Sequence, residues 1–282
     1  MSEDPDLEVL RRCDRYLDLA PRTASEPTDL GPLRVFLSRA PWPYYARPRP
    51  ELDLTAPDAV RPSHLAAAAQ RLTALGYPAS FEWVDDLVPS LDPVARAAGY
   101  DVSLHPLLVR EIGPLVEAVD DPRVVTVPAG SPLLRDALAV ADVAFDGAAG
   151  PDEGPAARDA CAVPPERVAY VEARVAAGEA TLVAVVDPID GVVASGSHLP
   201  VGDASEIVGE ATLPTHRRRG LAGLVVSALV ADAAARGVAL VLLSAGDDAA
   251  ARVYERAGFR WVGRVGAAEQ PDEDSAEDTP TR

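Results

Sequence analysis

Apolar residues in the C-terminal half of the chain recur at the spacing of one helix face. The positions i, i+3, i+4, i+7 and i+8 are held by Leu221, Leu224, Val225, Ala228 and Leu229. This period predicts a helix over residues 221–236 that ends at Gly237. The preceding segment 206–213 is rich in strand-compatible residues, and Pro214 ends it. A polar, cationic turn (215–220) lies between them, so the pattern predicts a strand, a basic turn and a helix in this order.

The rest of residues 119–268 alternates between short apolar runs and helix-spaced segments, separated by Gly and Pro. The predicted helices are 132–145, 166–177, 221–236 and 249–257. The predicted strands are 123–127, 180–186, 192–197, 206–213, 238–243 and a last strand after Gly258. Asp187 to Gly191 reads as a hairpin turn, and 148–155 reads as a loop. This order predicts an α/β (α+β) fold.

The N-terminal half shows a similar order of elements. Helices are predicted at 7–20, 64–75 and 91–98, strands at 33–37, 44–46, 81–84 and 102–109, with Pro-rich irregular chain otherwise from 21 to 61. The sequence Gly76, Asp85-Asp86, Gly99 parallels Gly237, Asp247-Asp248, Gly258. A degenerate internal duplication and a chance match of helix–Gly–strand units both remain open. The first half has Val60-Arg61-Pro62-Ser63 in place of the arginine–glycine turn, so it cannot hold a diphosphate in the same way.

The basic turn has the chemistry of an anion site. The first N–H groups of a helix have no partner within the helix and carry a partial positive charge. Here they follow Arg217, Arg218 and Arg219, and Gly220 lets the backbone approach a ligand closely. Together these features predict a diphosphate cradle at the start of the helix.

Two motifs in this region resemble one family. Arg217-x-x-Gly220-x-Ala222 is similar to the Arg/Gln-x-x-Gly-x-Gly/Ala signature of the GCN5-related N-acetyltransferase (GNAT) superfamily. The later block from Asp247 through Tyr254 to Gly258-Phe259 resembles that family's Asn-x-x-Ala-x-x-Leu-Tyr-x-x-x-Gly-Phe block. The resemblance implies a mixed, mostly antiparallel twisted sheet flanked by helices over residues 119–268, and the internal repeat predicts two GNAT-like domains in tandem. Residues 1–118 would be the degenerate domain, 119–268 the catalytic domain, and 269–282 a disordered acidic tail.

The resemblance also implies where acetyl-coenzyme A (acetyl-CoA) binds. Its pyrophosphate would lie on Arg217, Arg218, Arg219, Gly220, Leu221, Ala222 and Gly223. Backbone N–H groups near Thr212 and Leu213, in a strand that includes Ala211, would polarise the acetyl carbonyl. Asp247 replaces the family's common Asn, and this leaves open whether that contact with the cofactor persists.

Transfer of an acyl group from a thioester to an amine requires a base, carbonyl donors and an acid. By resemblance, Tyr254 would protonate the departing thiolate. Strand alternation puts Glu206, Val208, Glu210 and Thr212 on one face. Glu206, 11 positions before Arg217, matches the base glutamate of the histone acetyltransferase branch and is preferred over Glu210. Gly209 indicates either a bulge, which would leave only one carboxylate facing inward, or tight packing.

Composition narrows the partners. A net charge of −18 argues against nucleic acid and anionic membranes as partners. It suits a cationic amine substrate, and an effect on solubility alone remains the alternative. Cys13 and Cys161 fit no metal spacing, which predicts a reducing cytoplasm and no metal. His64, His105 and His198 are scattered along the chain, and their spacing indicates neither a metal site nor a catalytic triad. His216 is expected to face solvent.

The sequence thus predicts a cytoplasmic N-acetyltransferase that moves an acetyl group from acetyl-CoA to an amine of a small molecule or protein by direct attack. A homodimer is one open possibility for its assembly. A non-catalytic acyl-CoA binding or sensing module is the alternative function.

Overall fold

The computed structural model describes residues 5–113, 116, 119–146 and 150–271. In chain order the helices are α1 (Pro5–Arg22), α2 (Pro62–Thr73), α3 (Leu91–Ala97), α4 (Leu133–Phe145), α5 (Pro155–Ala160), α6 (Pro165–Ala176), α7 (Leu221–Ala235) and α8 (Asp248–Arg256). The strands are β1 (Ser25–Leu30), β2 (Leu33–Ser38), β3 (Ala46–Pro48), β4 (Phe81–Val84), β5 (Asp101–Glu111), β6 (Val124–Val127), β7 (Thr181–Asp187), β8 (Gly191–Val201), β9 (Ala204–Thr212), β10 (Leu240–Ser244) and β11 (Arg260–Glu269).

The chain forms two compact units. The first contains the residues up to Leu107 and those from Val262 onward, and the second contains Leu108–Trp261. The divisions fall inside β5 and β11, so each unit includes part of a strand from the other half of the sequence. The predicted boundaries at 118/119 and 268/269 lie elsewhere, and the assignment of catalysis to residues 119–268 stays a prediction. The predicted acidic tail lies outside the described residues from 272 onward.

The first unit has a mixed sheet in the order β1-β2-β3-β4-β11. Neighbouring strands are antiparallel except β3 and β4, which run parallel. Apolar residues of this sheet pack with α2 and α3 to form a core that includes the fully buried Phe81 and Trp83. Phe36 is also fully buried, in edge-on contact with the Tyr45 ring. Burial of these large side chains is the main stabilising contribution in this unit.

The second unit has a sheet in the order β5-β10-β9-β8-β7-β6. The pairs from β6 to β9 are antiparallel, and β9 and β10 run parallel. Its core contains apolar residues of the sheet with those of α4 and α7, among them Leu134, Val183, Val225, Leu229 and Leu243. The expected mixed and mostly antiparallel sheet with flanking helices is therefore confirmed in each unit.

The two units repeat the same local design. Each has one parallel strand pair joined by a long helix, β3–α2–β4 in the first and β9–α7–β10 in the second. The predicted helix stops Gly76, Gly99, Gly237 and Gly258 all have φ between 77° and 86°. In each, the following residue donates its N–H to a carbonyl of the last helical turn, for example Tyr77 to Leu72 and Phe259 to Tyr254, which is the Schellman pattern.

Strand β8 extends to Val201, beyond the predicted 192–197, and β10 begins at Leu240, later than the predicted 238. Three further elements differ more clearly from the sequence prediction. The sequence predicts irregular chain for Ser25–Leu30, which is polar and contains Pro27. This segment is instead the edge strand β1, which pairs with β2 and has half of its residues exposed, a place that tolerates proline. β3 begins at Ala46, later than the predicted 44–46. The short helix α5 was missed because Pro155 was assigned to a loop, whereas it occupies the first helical turn.

Candidate functional site

A bulge interrupts β9 in the middle of the second unit's sheet. Ser195 of β8 pairs with Ala211, and Ser197 pairs with Val208, so Gly196 alone lies opposite both Gly209 and Glu210. Gly209 has φ 61°, the conformation of a bulge with glycine at its first position. A Cβ atom on Gly209 would meet nothing within 4 Å. The bulge is therefore present, and tight packing at Gly209 is not the reason for the glycine.

The bulge separates the two carboxylates that simple alternation put together. Paired residues of neighbouring strands share a face, so Glu206, opposite Leu199, lies on the face of Ser195 and Ser197. Thr212, opposite Ala194, lies on the other face. Glu210 stands two residues before Thr212, beyond the bulge, and shares its face. The prediction of Glu206 and Glu210 on one face is wrong because the extra residue reverses the alternation.

A cavity opens where β9 leaves β10. Their parallel pairing covers Ala204 to Glu206 and ends at the pair of Glu206 with Leu242. Beyond that pair lies a cavity of about 970 Å³, at the upper end of the range for small-molecule sites. Its lining comes from β9, β10, the arginine turn, the first two turns of α7, one side of α8 and the end of α4. Members of that lining include Glu206, Glu210, Thr212, Arg217, Arg218, Gly220, Leu221, Ala222, Gly223 and Tyr254.

The start of α7 forms one end of this cavity. Gly220 is the N-cap residue with φ 76°, and no side chain caps this end. The backbone N–H groups of the first turn, which have no partner within a helix, therefore remain available to a ligand. Arg218 also has a left-handed backbone with φ 64°, which costs a non-glycine residue about 1–2 kcal/mol. Such strain is concentrated at functional sites, including ligand clamps.

The flanking arginines contact the backbone. Arg217 donates from Nε to the Thr212 carbonyl at 3.4 Å and from Nη2 to the Ala144 carbonyl at 3.2 Å. Arg219 donates to the Thr215 carbonyl at 3.1 Å. These contacts fix the arginine turn against the end of β9 and α4. Among the three arginines, Arg217 and Arg218 line the cavity.

Two polar atoms in the cavity wall are buried and unsatisfied within the described part of the chain. They are Thr212 Oγ1 and Glu210 Oε1. Buried polar atoms normally have a hydrogen-bond partner, so each such atom calls for an explanation. A polar ligand in the cavity supplies one, and the open helix start fits a diphosphate. The residues present therefore fit acetyl-CoA.

Leu213 is placed differently from its predicted role. Its side chain is fully buried in the core, and its N–H donates to the Val193 carbonyl at 3.0 Å. This amide already has a partner in β8. Since N–H groups alternate in direction along a strand, the N–H of Thr212 points away from β8 and Thr212 itself lines the cavity. Ala211 lies in the core beside it and also contributes to the cavity wall.

Glu210 and Tyr254 are in direct contact. The Tyr254 hydroxyl donates to Glu210 Oε2 at 3.1 Å. Burial raises the pKa of Glu210 to about 7, and the hydrogen bond from Tyr254 acts in the opposite direction. Burial and the nearby Glu210 carboxylate raise the pKa of the Tyr254 phenol above its usual value. At neutral pH the phenol is therefore protonated, and the carboxyl group is close to its titration midpoint.

Asp247 serves the helix that follows it. Its Oδ1 accepts the Ala250 N–H at 2.7 Å and so caps α8. The neighbouring Gly246 and Ala250 line the cavity. Asp247 is thus compatible with the fold, because aspartate can cap the helix as asparagine does.

His216 is buried, and the expectation that it faces solvent is wrong. Only 4% of its surface is exposed. Its Nε2 lies 3.1 Å from Asp190 Oδ2, and its Nδ1 lies 3.0 Å from Thr215 Oγ1. The ring ties the arginine turn to the β7–β8 hairpin. No spacing in the sequence indicates this contact, because the two partners are far apart in the chain.

His198 belongs to a polar network in the core of the second unit. Its two ring nitrogens lie 2.8 Å from Ser205 Oγ and 2.8 Å from Asp232 Oδ2. Asp232 also accepts from Thr181 and Arg236. The network satisfies a fully buried ring and lies outside the cavity lining, so its role is structural.

Comparisons with known proteins agree with this geometry. Residues 197–265 match the family model described as FR47-like protein, a segment that contains β9, the arginine turn, α7 and α8. The sequence has no match among curated proteins.

Solved structures with this fold cover nearly the whole chain. A GCN5-related N-acetyltransferase from Kribbella flavida is similar with a TM-score of 0.68 and 23% identity, over 95% of this chain and 98% of that one. A conserved protein of unknown function from Staphylococcus epidermidis has a TM-score of 0.59 and 14% identity, over 91% and 98%. A tandem GNAT protein from the clavulanic acid biosynthesis pathway has a TM-score of 0.51 and 19% identity, over 86% and 79%.

The chain therefore has the GNAT fold, and the resemblance identified from its arginine–glycine turn is confirmed. The similarity to a tandem GNAT protein over most of the chain agrees with the repeated design of its two units. The described residues contain no helix that is both long and apolar enough to cross a membrane.

Proposed function

We propose that the protein is an N-acetyltransferase that uses acetyl-CoA to acetylate an amine of a small molecule or protein. The observation that carries this proposal is one cavity that joins an uncapped helix start to a buried Glu–Tyr pair. Acetyl-CoA supplies an activated acetyl thioester when it is bound. The residues of the cavity account for binding, carbonyl polarisation and proton transfer.

The arginine turn and the first turn of α7 would hold the pyrophosphate. The open N–H groups from Leu221 to Gly223 and the positive end of the helix favour a diphosphate at this place. Arg218 brings a guanidinium to the cavity wall, and the strain in its backbone is compatible with a residue held for binding. Arg217 and Arg219 maintain the shape of the turn through their carbonyl contacts.

Thr212 would position the acyl group. Its N–H points into the gap between β9 and β10, where it can donate to the thioester carbonyl as negative charge develops on the oxygen. Its buried Oγ1 offers a second hydrogen bond to a ligand. One well-placed donor of this kind is worth about 2.7–4 kcal/mol of barrier in acyl transfer.

The base is better assigned to Glu210 than to Glu206. Both line the cavity, but Glu210 is on the face of Thr212 and contacts Tyr254. A carboxylate with a pKa raised to about 7 by burial can accept a proton from an amine at neutral pH. Glu206 would then contribute negative charge that attracts a cationic acceptor.

Tyr254 would be the acid. Its phenol remains protonated at neutral pH, and it extends from α8 into the same cavity. It can therefore donate a proton to the leaving thiolate, which is the role that the sequence resemblance implies.

The proposal is tested by a screen of amines with acetyl-CoA, monitored by the release of free thiol. Polyamines, aminoglycosides and peptides with lysine or a free N-terminus cover the main acceptor classes. We expect acetylation of at least one class, and we expect Tyr254→Phe to lose turnover while it keeps its affinity for acetyl-CoA. Tight binding without turnover across all classes would identify a sensor instead. Tyr170→Phe, on α6 and outside the cavity lining, is the matched control.

A further inference from the structure

The two oxygens of the Glu210 carboxylate have different surroundings. Oε2 accepts the Tyr254 hydroxyl at 3.1 Å. Oε1 is buried and has no partner among the described residues. One oxygen is thus already committed to the proposed acid, and the other is open to a group in the cavity. A general base that acted independently of the acid would not need this direct link.

We propose that Glu210 and Tyr254 form a single proton relay, in which Glu210 receives the proton of the attacking amine on Oε1 and, after its carboxyl group rotates, returns that proton to the Tyr254 oxygen. This inference rests on the proposed acetyl transfer and adds to it a direct route for the proton. It makes the tyrosine and the glutamate one functional pair.

The steps balance without a further reactant. The amine nitrogen forms a bond to the acetyl carbon, the carbon–sulfur bond breaks, and its electron pair stays on sulfur. Tyr254 gives its hydroxyl proton to that thiolate, while Glu210 accepts a proton from the nitrogen. The protonated Glu210 carboxyl group then rotates about its Cγ–Cδ bond, so that the oxygen carrying the proton faces the Tyr254 phenolate and passes the proton to it. In the net reaction the amine loses one proton and the thiolate gains one, and both side chains return to their initial states in every turnover.

The surroundings of the pair favour direct transfer. Burial raises the pKa of Glu210, and the only other contribution from the described residues, the hydrogen bond from Tyr254, lowers it. The other charged side chains of the cavity lining are Glu206, Arg217, Arg218 and Arg256, together with the titratable His216. Glu206 is on the opposite face of β9, and Arg217 is engaged with carbonyl groups. In a profile of kcat against pH, the acid limb should therefore report the Glu210–Tyr254 pair.

The experiment is a double-mutant cycle with Glu210→Gln and Tyr254→Phe, measured as kcat with saturating acetyl-CoA and a reactive amine. Removal of an acid or base typically costs about 10²–10⁴-fold in rate. A relay predicts that the double variant is within about threefold of the slower single variant, since either change breaks the same route. Independent roles predict that the two factors multiply, and this result would overturn the relay. Glu255→Gln, on the exposed surface of α8, is the matched control.

A second readout uses the free protein. In protein with ¹³C-labelled glutamate carboxyl groups, the Glu210 signal is assigned by its loss in Glu210→Gln. We expect a midpoint near the pKa of about 7 in the wild type. In Tyr254→Phe the midpoint should rise, because the hydrogen bond that lowers this pKa is lost. An unchanged midpoint would contradict the link between the two side chains.

A third readout needs no variant. Single-turnover rates of the wild type in mixtures of H₂O and D₂O should depend on isotope content along a curve, as expected for more than one proton in transfer. A linear dependence would contradict the relay. If the wild type acetylates an amine but these experiments give the contradicting outcomes, the relay alone is wrong. If no amine is acetylated although acetyl-CoA binds, the proposed function itself fails.

Discussion

Gly196 in β8 lies directly against Glu210 in the bulge of β9. A Cβ atom on Gly196 would be 3.3 Å from the Glu210 Cα and 2.9 Å from Val225 Cγ1 of α7. The missing side chain therefore lets α7 and the bulged strand approach each other closely. The position of the proposed base depends on a residue that carries no chemistry of its own.

Gly196→Ala should disturb the proposed base. The added methyl group would press on the Glu210 backbone and on the buried, branched side chain of Val225. Neither can move away easily, so we expect a loss of about 1–3 kcal/mol in the free energy of unfolding. Because the added methyl group presses on Glu210 itself, kcat should fall by about tenfold or more, with a smaller change in acetyl-CoA affinity. Urea unfolding and steady-state kinetics measure both effects. Gly113→Ala is the control, since a Cβ there meets nothing within 4 Å; equal losses in the two variants would contradict this account.

Arg218→Gly should separate stability from binding. Arg218 adopts φ 64°, and glycine relieves the resulting strain of about 1 kcal/mol, so the variant should be as stable as the wild type or more stable. The lost guanidinium should weaken acetyl-CoA binding by about 10–150-fold, since a hydrogen bond to a charged group is worth about 1.5–3 kcal/mol.

Arg218→Lys is the matched variant, because it keeps both the charge and the strained backbone. Calorimetric titration at low and high salt, together with thermal unfolding, tests the pair. The difference in acetyl-CoA affinity between Arg218→Gly and the wild type should shrink as the salt concentration rises. A destabilised glycine variant with unchanged affinity would show that Arg218 has no binding role.

Much of the second unit was predictable because its signals are local. The apolar period from Leu221 and the basic turn before it depend only on neighbours in sequence, and α7 begins at the predicted residue. Glycine stops such as Gly237 mark helix ends through their own backbone conformation. In contrast, β1 was missed because its stability comes from pairing with β2 and not from apolar residues of its own.

The choice between the two carboxylates needed the structure. Gly209 indicated a bulge, but the side of the sheet on which Glu210 lies depends on the register with Gly196 of β8. The contact of His216 with Asp190 likewise depends on how the β7–β8 hairpin folds over the turn. Such relationships join residues that are distant in sequence, so no pattern along the chain encodes them.

Stability should depend on pH through Glu82 in the first unit. Burial raises the pKa of Glu82 to about 7 from a model-peptide value of 4.5. Between these values the folded state binds more protons than the unfolded chain, so the free energy of unfolding falls as pH rises through this interval. The penalty is absent below the unfolded pKa and complete above the folded one. Its size is about 3 kcal/mol from the free energy of one pKa unit.

Glu82→Gln should remove this penalty. Relative to the wild type, the variant should gain up to about 3 kcal/mol more at pH 8 than at pH 5, as measured by urea unfolding at both values. The comparison with wild type cancels the contributions of other titrating groups to the pH dependence of stability. One of these is His198, whose pKa is lowered by burial and whose contribution has the opposite sign. A difference that does not change with pH would show that Glu82 does not titrate in this interval.

Binding of acetyl-CoA should occur at one site per chain. The start of α2 corresponds in the repeat to the start of α7, but its Arg61 N–H donates to His64 Nδ1 at 3.2 Å and Pro62 occupies the first turn. Its cap residue has φ −119°, whereas Gly220 has φ 76°. The start of α2 therefore lacks the open amides that the start of α7 offers to a diphosphate. Calorimetric titration should give a stoichiometry near one.

Gly220→Ala and His64→Ala distinguish the two helix starts. Alanine at φ 76° is strained by about 1–2 kcal/mol and shifts the amides that follow it, so affinity should fall by about tenfold or more. His64→Ala should leave both affinity and stoichiometry unchanged, because it alters only a helix start that the ligand does not use. Two molecules bound per chain, or weaker binding in His64→Ala, would place a second acyl-CoA site in the first unit.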